Sequence, residues 1–463
     1  MTSDFSTLNL KSSLLTVAAE LGFDQLTPIQ ASSIPLLLEG KDLIGQAQTG
    51  SGKTAAFALP ILNSLELADS TIQALILCPT RELASQVVGE IRKLGRRLEG
   101  LQVVALVGGQ PMREQTEAIH KGAHIAVATP GRILDFLQRD RVHLGGLKTL
   151  VLDEADKMLE LGFDAEIRSI IQMLPSKRQT ILFSATFPPS IEGLSRSYQK
   201  NPERVTVDTV AEKSPSIEQW VYDAEPHEKL EILLRVLQQH PSSSTLIFCN
   251  MKSSVHEITE ALAKQNVDAA CLHGDLDQRD RDRVMALFRN GSHRILIATD
   301  IAGRGLDIEN LELVINFDLP PQPETYVHRI GRTGRAGKSG VAVSLATVKE
   351  IIRVSDFERF TKTKMIRQNL GYKNQHGLNK ELRTASMQTL SISAGRKDKI
   401  RPGDILGALT GASGGLQAKD VGKIDVQDKI SYVAISSTLA SSAFEALRDG
   451  RIKGKKYQIK LVK

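Results

Sequence analysis

Residues 47–54 read AQTGSGKT, and the other motifs of the chain can be read as partners of this stretch. It matches the phosphate-binding pattern G-x-x-x-x-G-K-[ST], with Ala47 in place of the first glycine. Residues 42–46 predict a short buried strand before it, and residues 54–62 predict an apolar helix whose N-terminus faces the phosphates. This context favours a nucleotide site over a chance glycine-rich turn. The predicted nucleotide-binding residues are Ala47, Gln48, Thr49, Gly50, Ser51, Gly52, Lys53 and Thr54.

The chemistry of this site depends on a lysine, a hydroxyl and two carboxylates. In such a loop Lys53 reaches the β- and γ-phosphates, and Thr54 supplies a ligand to Mg²⁺. A second predicted buried strand ends in residues 153–156, DEAD. A carboxylate there, beside a phosphate loop, can hold Mg²⁺, so we assign Asp153 to the metal and Glu154 to activating the attacking water. An acidic turn alone is common, and only its pairing with the loop predicts nucleotide hydrolysis.

The domain organisation follows from length and periodicity. At roughly 150 residues per domain, 463 residues indicate about three domains. Apolar runs alternate with helical patterns in residues 1–207 and again in 215–365, which predicts two tandem α/β domains built on parallel sheets. The second contains no G-K-[ST] loop, so it must act on a nucleotide held by the first. Residues 366–385 predict a linker, and residues 386–463 predict a small α+β domain.

The C-terminal tail, residues 386–463, carries the positive charge of the chain. It contains 14 Lys and Arg against 7 Asp and Glu, a net charge of +7, whereas the remainder contains 45 against 46. Its predicted element order, β-α-β-β-α-β, is the split βαβ arrangement of RNA-recognition modules. A lysine-rich solvated surface is the alternative, but this charge on a domain attached to a nucleotide hydrolase favours nucleic acid.

Composition restricts the cellular location that we expect for the protein. It is 41% hydrophobic and 24% charged, and it contains no apolar run of about 18 residues. The N-terminus lacks the basic start and apolar core of a signal peptide. We therefore expect a cytoplasmic protein without a membrane segment. Since no apolar heptad stands out, we expect a monomer.

The motif DEAD at 153–156 resembles the signature of the DEAD-box RNA helicases, and the order of motifs resembles that family over residues 1 to about 365. This resemblance implies two tandem RecA-like domains. Residues 22–30, GFDQLTPIQ, resemble the Q motif, with Phe5 as its upstream aromatic residue. By the resemblance, Gln30 reads the edge of adenine and Phe23 packs against its face.

Further motifs of the first domain resemble those with which the family grips RNA. They are PTRELA at 79–84, GG at 108–109 and TPGR at 129–132. The resemblance implies RNA contacts by Arg81, Gly109, Thr129 and Arg132, and coupling of hydrolysis to strand separation by Ser184, Ala185 and Thr186.

The second domain contains ATDIAGRGLD at 298–307 and HRIGRTGR at 328–335. By the resemblance, the RNA contacts are Arg281 and Thr299, and the nucleotide contacts are Gly305, Asp307, which binds the ribose, and Arg332 and Arg335, which reach the γ-phosphate. A guanidinium delivered from a second domain stabilises charge on the transferring phosphoryl group. Taken alone, an arginine such as Arg329 or Arg335 would indicate only a surface charge.

The tail resembles the C-terminal RNA-binding domain of one bacterial group of these helicases, in RPGDILGALTG at 401–411, GKI at 422–424 and KGKKY at 453–457. This implies an RRM-like domain that binds a 23S rRNA hairpin in pre-50S particles during assembly of the large ribosomal subunit. The usual stacking aromatics are scarce, and Tyr432 can equally be a packing residue. The predicted RNA contacts are Arg396, Lys397, Arg401, Lys453, Lys455 and Lys456.

The sequence thus predicts an ATP-dependent RNA helicase that uses ATP and Mg²⁺. Two other functions stay open. One is an RNA clamp whose ATPase only times residence without unwinding, and the other is a DNA helicase of similar architecture.

Overall fold

The computed structural model describes residues 4–47, 51–207, 217–300, 308, 311–334, 339–368, 385–411 and 415–462. These residues divide into two compact units. One contains the described residues up to 207, and the other contains those from 217 onward.

The first unit is a parallel sheet between two layers of helices. Its strands are β1 (Leu43–Gln46), β2 (Ala74–Leu77), β3 (Val103–Leu106), β4 (Ile125–Ala128), β5 (Thr149–Leu152), β6 (Gln179–Ser184) and β7 (Glu203–Thr206). Its helices are α1 (Ser12–Glu20), α2 (Pro28–Leu38), α3 (Lys53–Ser64), α4 (Arg81–Leu94), α5 (Met112–His120), α6 (Pro130–Gln138), α7 (Ala155–Glu160), α8 (Asp164–Gln172) and α9 (Pro189–Tyr198). The strand order is β3-β4-β2-β5-β6-β1-β7. Neighbours along a strand, such as Leu75 and Ile76, enter separate cores on the two faces, which explains the continuous apolar runs.

The second unit contains another parallel sheet with the same topology. Its strands are β8 (Ile217–Asp223), β9 (Thr245–Cys249), β10 (Ala269–Leu272), β11 (Ile295–Thr299), β12 (Leu313–Asn316), β13 (Gly340–Ala346) and β14 (Ile366–Gln368). The helices described with it are α10 (Lys229–Gln239), α11 (Lys252–Lys264), α12 (Gln278–Arg289), α13 (Pro323–Ile330) and α14 (Ile351–Thr361). The order β10-β11-β9-β12-β13-β8-β14 repeats that of the first sheet strand for strand. The predicted tandem RecA-like architecture is confirmed.

The tail in the second unit forms a small antiparallel sheet with two helices. Its elements are β15 (Met387–Ile392), α15 (Pro402–Thr410), β16 (Val421–Val426), β17 (Ser431–Ser436), α16 (Ala440–Asp449) and β18 (Ile459–Val462). The strand order is β16-β17-β15-β18. The predicted RRM-like α+β fold, with its β-α-β-β-α-β order, is confirmed.

One segment differs from the sequence-based assignment. The predicted linker, residues 366–385, lies mostly outside the described residues, but its first three residues form β14 and pair with β8. The second sheet therefore extends past residue 365. An edge strand of three residues that is largely exposed leaves no apolar run in the sequence, so its pattern resembles that of a loop.

In the part of the chain that the structure describes, we find no helix whose length and apolar character would let it span a bilayer.

Candidate nucleotide and RNA sites

The described part of the phosphate loop is fixed by two polar residues of α2 and its cap. Gln30 Nε2 donates a hydrogen bond to the Gly52 carbonyl oxygen (3.1 Å), and Thr27 Oγ1 donates one to the Ser51 carbonyl oxygen (2.8 Å). Gly52 has φ +91°, and a Cβ there would lie 2.5 Å from Gln30 Nε2. Only glycine fits this position. The predicted residues Gln48, Thr49 and Gly50 lie outside the described residues.

Gln30 connects the Q motif to the loop. Its Oε1 accepts a hydrogen bond from the Thr27 backbone N–H (2.9 Å), which completes a capping box at the start of α2. The rings of Phe5 and Phe23 stack with centroids 5.7 Å apart. Phe5 is 4% exposed and Phe23 is half-buried, so Phe23 is the more accessible of the two aromatic rings.

Lys53 begins α3 and is buried, with 7% of its side chain exposed. Its Nζ donates a hydrogen bond to the Ala47 carbonyl oxygen (3.0 Å), and the Ala47 N–H donates to the Ser184 carbonyl oxygen (3.1 Å). The ammonium group is therefore held at the start of the loop, near the end of β6. Thr54 follows Lys53 in the first turn of α3 and is half-buried.

Asp153 directly follows β5 and is 3% exposed. Its Oδ1 has no hydrogen-bond partner among the described residues. Burial raises the pKa of Asp153 to about 6, and the positive charge of Lys53 opposes that rise. A buried carboxylate oxygen without a partner beside the phosphate loop fits a hard cation such as Mg²⁺, which takes oxygen ligands.

Glu154 adopts the left-handed backbone conformation, with φ +52° and ψ +51°. Its Oε2 lies 2.9 Å from Lys157 Nζ, and both side chains are buried. A residue other than glycine in this region carries backbone strain, and such strain concentrates at functional sites. The ion pair fixes the carboxylate that we assign to water activation.

Asp156 connects this acidic turn to the predicted coupling motif, a role that the sequence analysis did not assign. Its Oδ2 accepts hydrogen bonds from the backbone N–H groups of Ala185 and Thr186 and from Thr186 Oγ1, each at 3.1 Å. Ser184 Oγ donates to the Thr186 carbonyl oxygen (2.6 Å). The sequence contained one indication of this contact, because the two polar motifs follow the strands β5 and β6, which are neighbours in the sheet.

The predicted RNA contacts of the first unit meet at the carboxyl edge of β2, β3 and β4. A Cβ at Gly108 would lie 3.1 Å from Arg81 Nη2, so the Arg81 guanidinium packs over that glycine. Arg132 Nη2 donates to the Gln110 carbonyl oxygen (3.2 Å), while its buried Nη1 has no partner among the described residues. Burial lowers the pKa of Arg132, and so does the nearby charge of Arg81. Thr129, the N-cap of α6, and Gly109, with φ +75°, lie at the same edge.

Two adjacent guanidinium groups, one of them with a buried N–H that has no partner in the described part of the chain, suit a phosphate oxygen. This edge of the first unit can therefore hold a nucleic-acid backbone without reading its bases.

In the second unit, Thr299 is the last residue of β11 and Arg281 lies in the first turn of α12. Both are half-buried. Arg332 follows α13 and is 7% exposed. Gly305, Asp307 and Arg335 lie outside the described residues.

Arg329 is not a surface charge, as the sequence alone would indicate, but is 1% exposed. It pairs with both carboxylate oxygens of Asp300 (2.7 and 2.6 Å). It also donates to Asn250 Oδ1 (2.8 Å) and to the Asp318 carbonyl oxygen (2.6 Å). Its guanidinium lies over the Phe248 ring, 5.1 Å from the centroid. Arg329 therefore connects the segments that follow β9, β11 and β12.

The basic residues of the tail lie on loops. Lys453 Nζ donates to the Lys399 carbonyl oxygen (3.0 Å) and lies 3.8 Å from Asp404, whose carboxylate accepts from the Arg401 N–H (2.8 Å). The structure thus brings Arg401 and Lys453 together and adds Lys399, which the sequence analysis did not select. Arg396 pairs with Asp428 (3.3 Å).

The remaining predicted contacts of the tail have exposed side chains. The Lys397 N–H donates to the Asp428 carbonyl oxygen (2.9 Å), and Lys455 pairs through its backbone with Ile452. Arg448 and, more weakly, Lys456 lower the pKa of Asp449, which places Lys456 near the end of α16. Tyr432 is 3% exposed, and burial raises the pKa of its phenol, so the structure favours its packing role.

Comparisons with known proteins agree with this geometry. Three family profiles match the chain: DEAD/DEAH box helicase over residues 27–194, helicase conserved C-terminal domain over 228–337, and DbpA RNA binding domain over 389–461. The ATP-dependent RNA helicase DbpA of Escherichia coli (strain K12) is 46% identical over 462 residues and aligns across 99% of both chains. This chain belongs to the DEAD-box RNA helicases.

Other DEAD-box helicases match the two parallel-sheet domains. The DEAD-box ATP-dependent RNA helicase CshA of Geobacillus kaustophilus is 44% identical over 363 residues, 78% of each chain. The structure of Saccharomyces cerevisiae Dbp5 bound to RNA and ADP BeF3 is similar with a TM-score of 0.72 and 32% identity. That similarity covers 79% of this chain and 96% of the Dbp5 chain. The DEAD-box helicase described here is thus an RNA-stimulated ATPase that uses ATP and carries a DbpA-type RNA-binding domain.

Proposed function

We propose that the tail directs this helicase to a 23S rRNA hairpin in the peptidyl-transferase region. There it remodels short rRNA duplexes in pre-50S particles, acting as a monomer in the cytoplasm. One observation carries the proposal: loops bearing Arg401 and Lys453 meet on a domain with a net charge of +7 that matches the DbpA RNA binding domain. Loops of this kind suit a folded hairpin better than unstacked bases.

The described residues have distinct roles in the proposed reaction. Thr54 and Asp153 would hold Mg²⁺, which neutralises charge on the phosphates when it is bound. Lys53 binds the β- and γ-phosphates, and Glu154 orients the attacking water and accepts its proton. Arg332, together with Arg335, stabilises charge on the transferring phosphoryl group.

RNA enters the cycle through the first domain. Arg81 and Arg132 hold backbone phosphates at one edge of the sheet. The coupling motif is joined to the acidic turn of the nucleotide site by the hydrogen bond from Thr186 to Asp156. We expect ATP and RNA both to favour the arrangement of the two parallel-sheet domains that hydrolyses ATP. Each ligand therefore raises the affinity of the protein for the other.

Steady-state ATP hydrolysis at fixed salt tests whether the tail directs the helicase to the 23S rRNA hairpin. We would compare no RNA, a 23S rRNA fragment with the hairpin, the same fragment with the hairpin scrambled, and the DNA equivalent. Strong stimulation by the intact hairpin alone supports the proposal. Equal stimulation by every RNA would be consistent with an RNA helicase but would refute the proposal that the tail directs it to the 23S rRNA hairpin. Stimulation by the DNA would favour a DNA helicase.

A strand-displacement assay separates unwinding from a timed clamp. The substrate is a short duplex attached to the hairpin, and release of the labelled strand is followed with ATP. Hydrolysis without strand release would favour the clamp.

A further inference from the structure

The helix α5 is anchored by a buried amide. Of its nine residues, all of which the structure describes, only Gln115 is buried, with 5% of its side chain exposed. A surface helix normally buries apolar side chains against its sheet. Burying an amide costs free energy unless its donors and its acceptor are hydrogen-bonded. The hydrogen-bond partners of Gln115 therefore determine what this side chain does.

The Gln115 amide closes the turn that follows β3. Its Oε1 accepts a hydrogen bond from the Val107 N–H (3.1 Å), and its Nε2 donates to the Val107 carbonyl oxygen (3.0 Å). Nε2 also donates to the Gln110 carbonyl oxygen (3.4 Å) at the other end of the turn. Because β3 is the edge strand of its sheet, this amide takes the place that a neighbouring strand would have beside Val107.

This turn lies between the two guanidinium groups that we propose as RNA contacts of the first unit. The Arg81 guanidinium packs over Gly108, where a Cβ would lie 3.1 Å from Arg81 Nη2. The Gln110 carbonyl oxygen accepts from Arg132 Nη2 (3.2 Å) as well as from Gln115 Nε2. A change in the position of this carbonyl group would therefore change the position of the Arg132 guanidinium.

We propose that Gln115 is a positioning residue for RNA binding, because its amide holds the Gln110 carbonyl oxygen where that oxygen aims the Arg132 guanidinium at a backbone phosphate. The inference rests on the proposed role of Arg132 as an RNA contact. Gln115 is buried beneath the turn and does not itself contact RNA. Its substitution weakens RNA binding and leaves ATP binding intact, since the phosphate loop and the acidic turn follow other strands, β1 and β5.

Gln73 provides a matched control, because its amide closes another turn in the same way. Its Oε1 accepts from the Glu66 N–H (3.1 Å), and its Nε2 donates to the carbonyl oxygens of Glu66 (2.8 Å) and Asp69 (3.0 Å). Gln73 is 2% exposed and precedes β2, so it lies at the opposite end of the strands from the proposed RNA contacts. Gln73 and Gln115 thus make the same kinds of hydrogen bond, but only Gln115 shares a carbonyl group with Arg132.

Steady-state ATP hydrolysis by the full chain, titrated with single-stranded poly(A), tests the proposal. Poly(A) lacks the hairpin, so the KM for this RNA reports binding outside the proposed target of the tail. Gln115→Met and Gln115→Glu both remove the donor to Gln110, and each should raise the KM for RNA by about fivefold or more. At saturating RNA, kcat and the KM for ATP should stay within about twofold.

Gln73→Met and Gln73→Glu should lower the unfolding temperature about as much as the substitutions of Gln115, because they remove the same kinds of hydrogen bond. Their KM for RNA should stay within about twofold of the unsubstituted protein. Equal rises in the KM for RNA at the two positions would show a general effect of instability and overturn the proposal. An unchanged KM for RNA in both Gln115 variants would also overturn it.

Arg132→Ala separates this inference from the proposed RNA contact on which it rests. The double variant Gln115→Met/Arg132→Ala should raise the KM for RNA about threefold less than the product of the two single effects, because both substitutions disturb one arrangement. A rise equal to that product would overturn the positioning role. A raised KM for RNA in Arg132→Ala alone would overturn only the role of Gln115, whereas no effect of Arg132→Ala would refute the RNA contact and the inference with it.

Discussion

Asp153 and Glu154 are adjacent in the chain, yet their carboxyl groups have different surroundings. Asp153 is buried with an oxygen that lacks a described partner, whereas Glu154 is paired with Lys157. Neighbouring carboxyl groups in different environments can perform different tasks. The sequence predicts both roles, because their motif follows a strand beside the phosphate loop. It could not show the Lys157 pair, which depends on burial of both side chains.

At pH 7.5, Asp153→Asn should raise the unfolding temperature of the ligand-free protein. Burial raises the pKa of Asp153 from 3.8 to about 6, so between these values the native state holds a proton that the unfolded state has lost. Native stability therefore falls as pH rises from about 4 to about 6, by on the order of 2–3 kcal/mol. Thermal unfolding at pH 7.5 and 5 checks this, since the advantage of asparagine should shrink at about pH 5. The same advantage at both pH values would contradict the burial argument.

Glu154→Gln should retain ATP and RNA binding but lower hydrolysis by about 10²- to 10⁴-fold. The amide preserves the size of the side chain and cannot accept the proton of the attacking water. Nucleotide affinity and single-turnover hydrolysis with RNA would be measured together. Glu117→Gln, an exposed carboxylate on α5, serves as the control. Normal turnover by the Glu154 variant would refute our assignment of the water-activating residue.

At the scale of elements, strands with continuous apolar runs were predictable from the sequence, whereas the largely exposed edge strands β7 and β14 were not. Strands such as β4 and β9 are buried throughout, so their apolar runs stand out in the sequence. The edge strands β7 and β14 have mostly exposed or half-exposed residues, and their sequences resemble those of loops. Pairing with β1 or β8, rather than local composition, defines them.

Arg329 on α13 shows how a single buried side chain stabilises an element. Arg329→Gln should destabilise the second unit by about 3–5 kcal/mol, because it leaves Asp300 partly buried without its cation. Urea unfolding of the full chain would measure this loss. Arg359→Gln, an exposed arginine on α14, should change stability by less than about 0.5 kcal/mol. Equal effects of the two substitutions would contradict the role of the buried network.

At the scale of the whole molecule, charge and catalysis occupy different parts of the chain. The tail has a net charge of +7, whereas the rest of the chain, which contains the nucleotide motifs, has a net charge of −1. This separation is visible in the sequence and predicts affinity for nucleic acid. The hydrogen bond that Asn290 donates to Thr389 of the tail is not visible, because 99 residues separate the partners and neither belongs to a motif. Long-range polar contacts leave no local periodicity.

Deleting residues 386–463 should leave an ATPase that any RNA stimulates at high concentration, without preference for the hairpin. The catalytic motifs lie outside the deleted segment, and the residues just after α12 that become exposed, Asn290 and Ser292, are polar. ATPase titrations with intact and scrambled hairpin would be compared with the full chain. The full chain should also lose affinity steeply as salt increases, since its tail neutralises phosphates. An unchanged preference for the hairpin after the deletion would refute the proposal that the tail selects it.

Thr389 and Tyr432 lie on a face of the tail sheet that α12 and the residues after it cover, and this contact restricts how freely evolution or engineering can exchange these parts. A tail grafted onto another helicase core would expose Tyr432 and Thr389 unless the recipient supplied a helix with matching side chains. Such a chimaera could retain affinity for its RNA and still lose the orientation in which that RNA meets the motor. Transfer of the RNA specificity to another helicase would therefore require α12 together with residues 386–463.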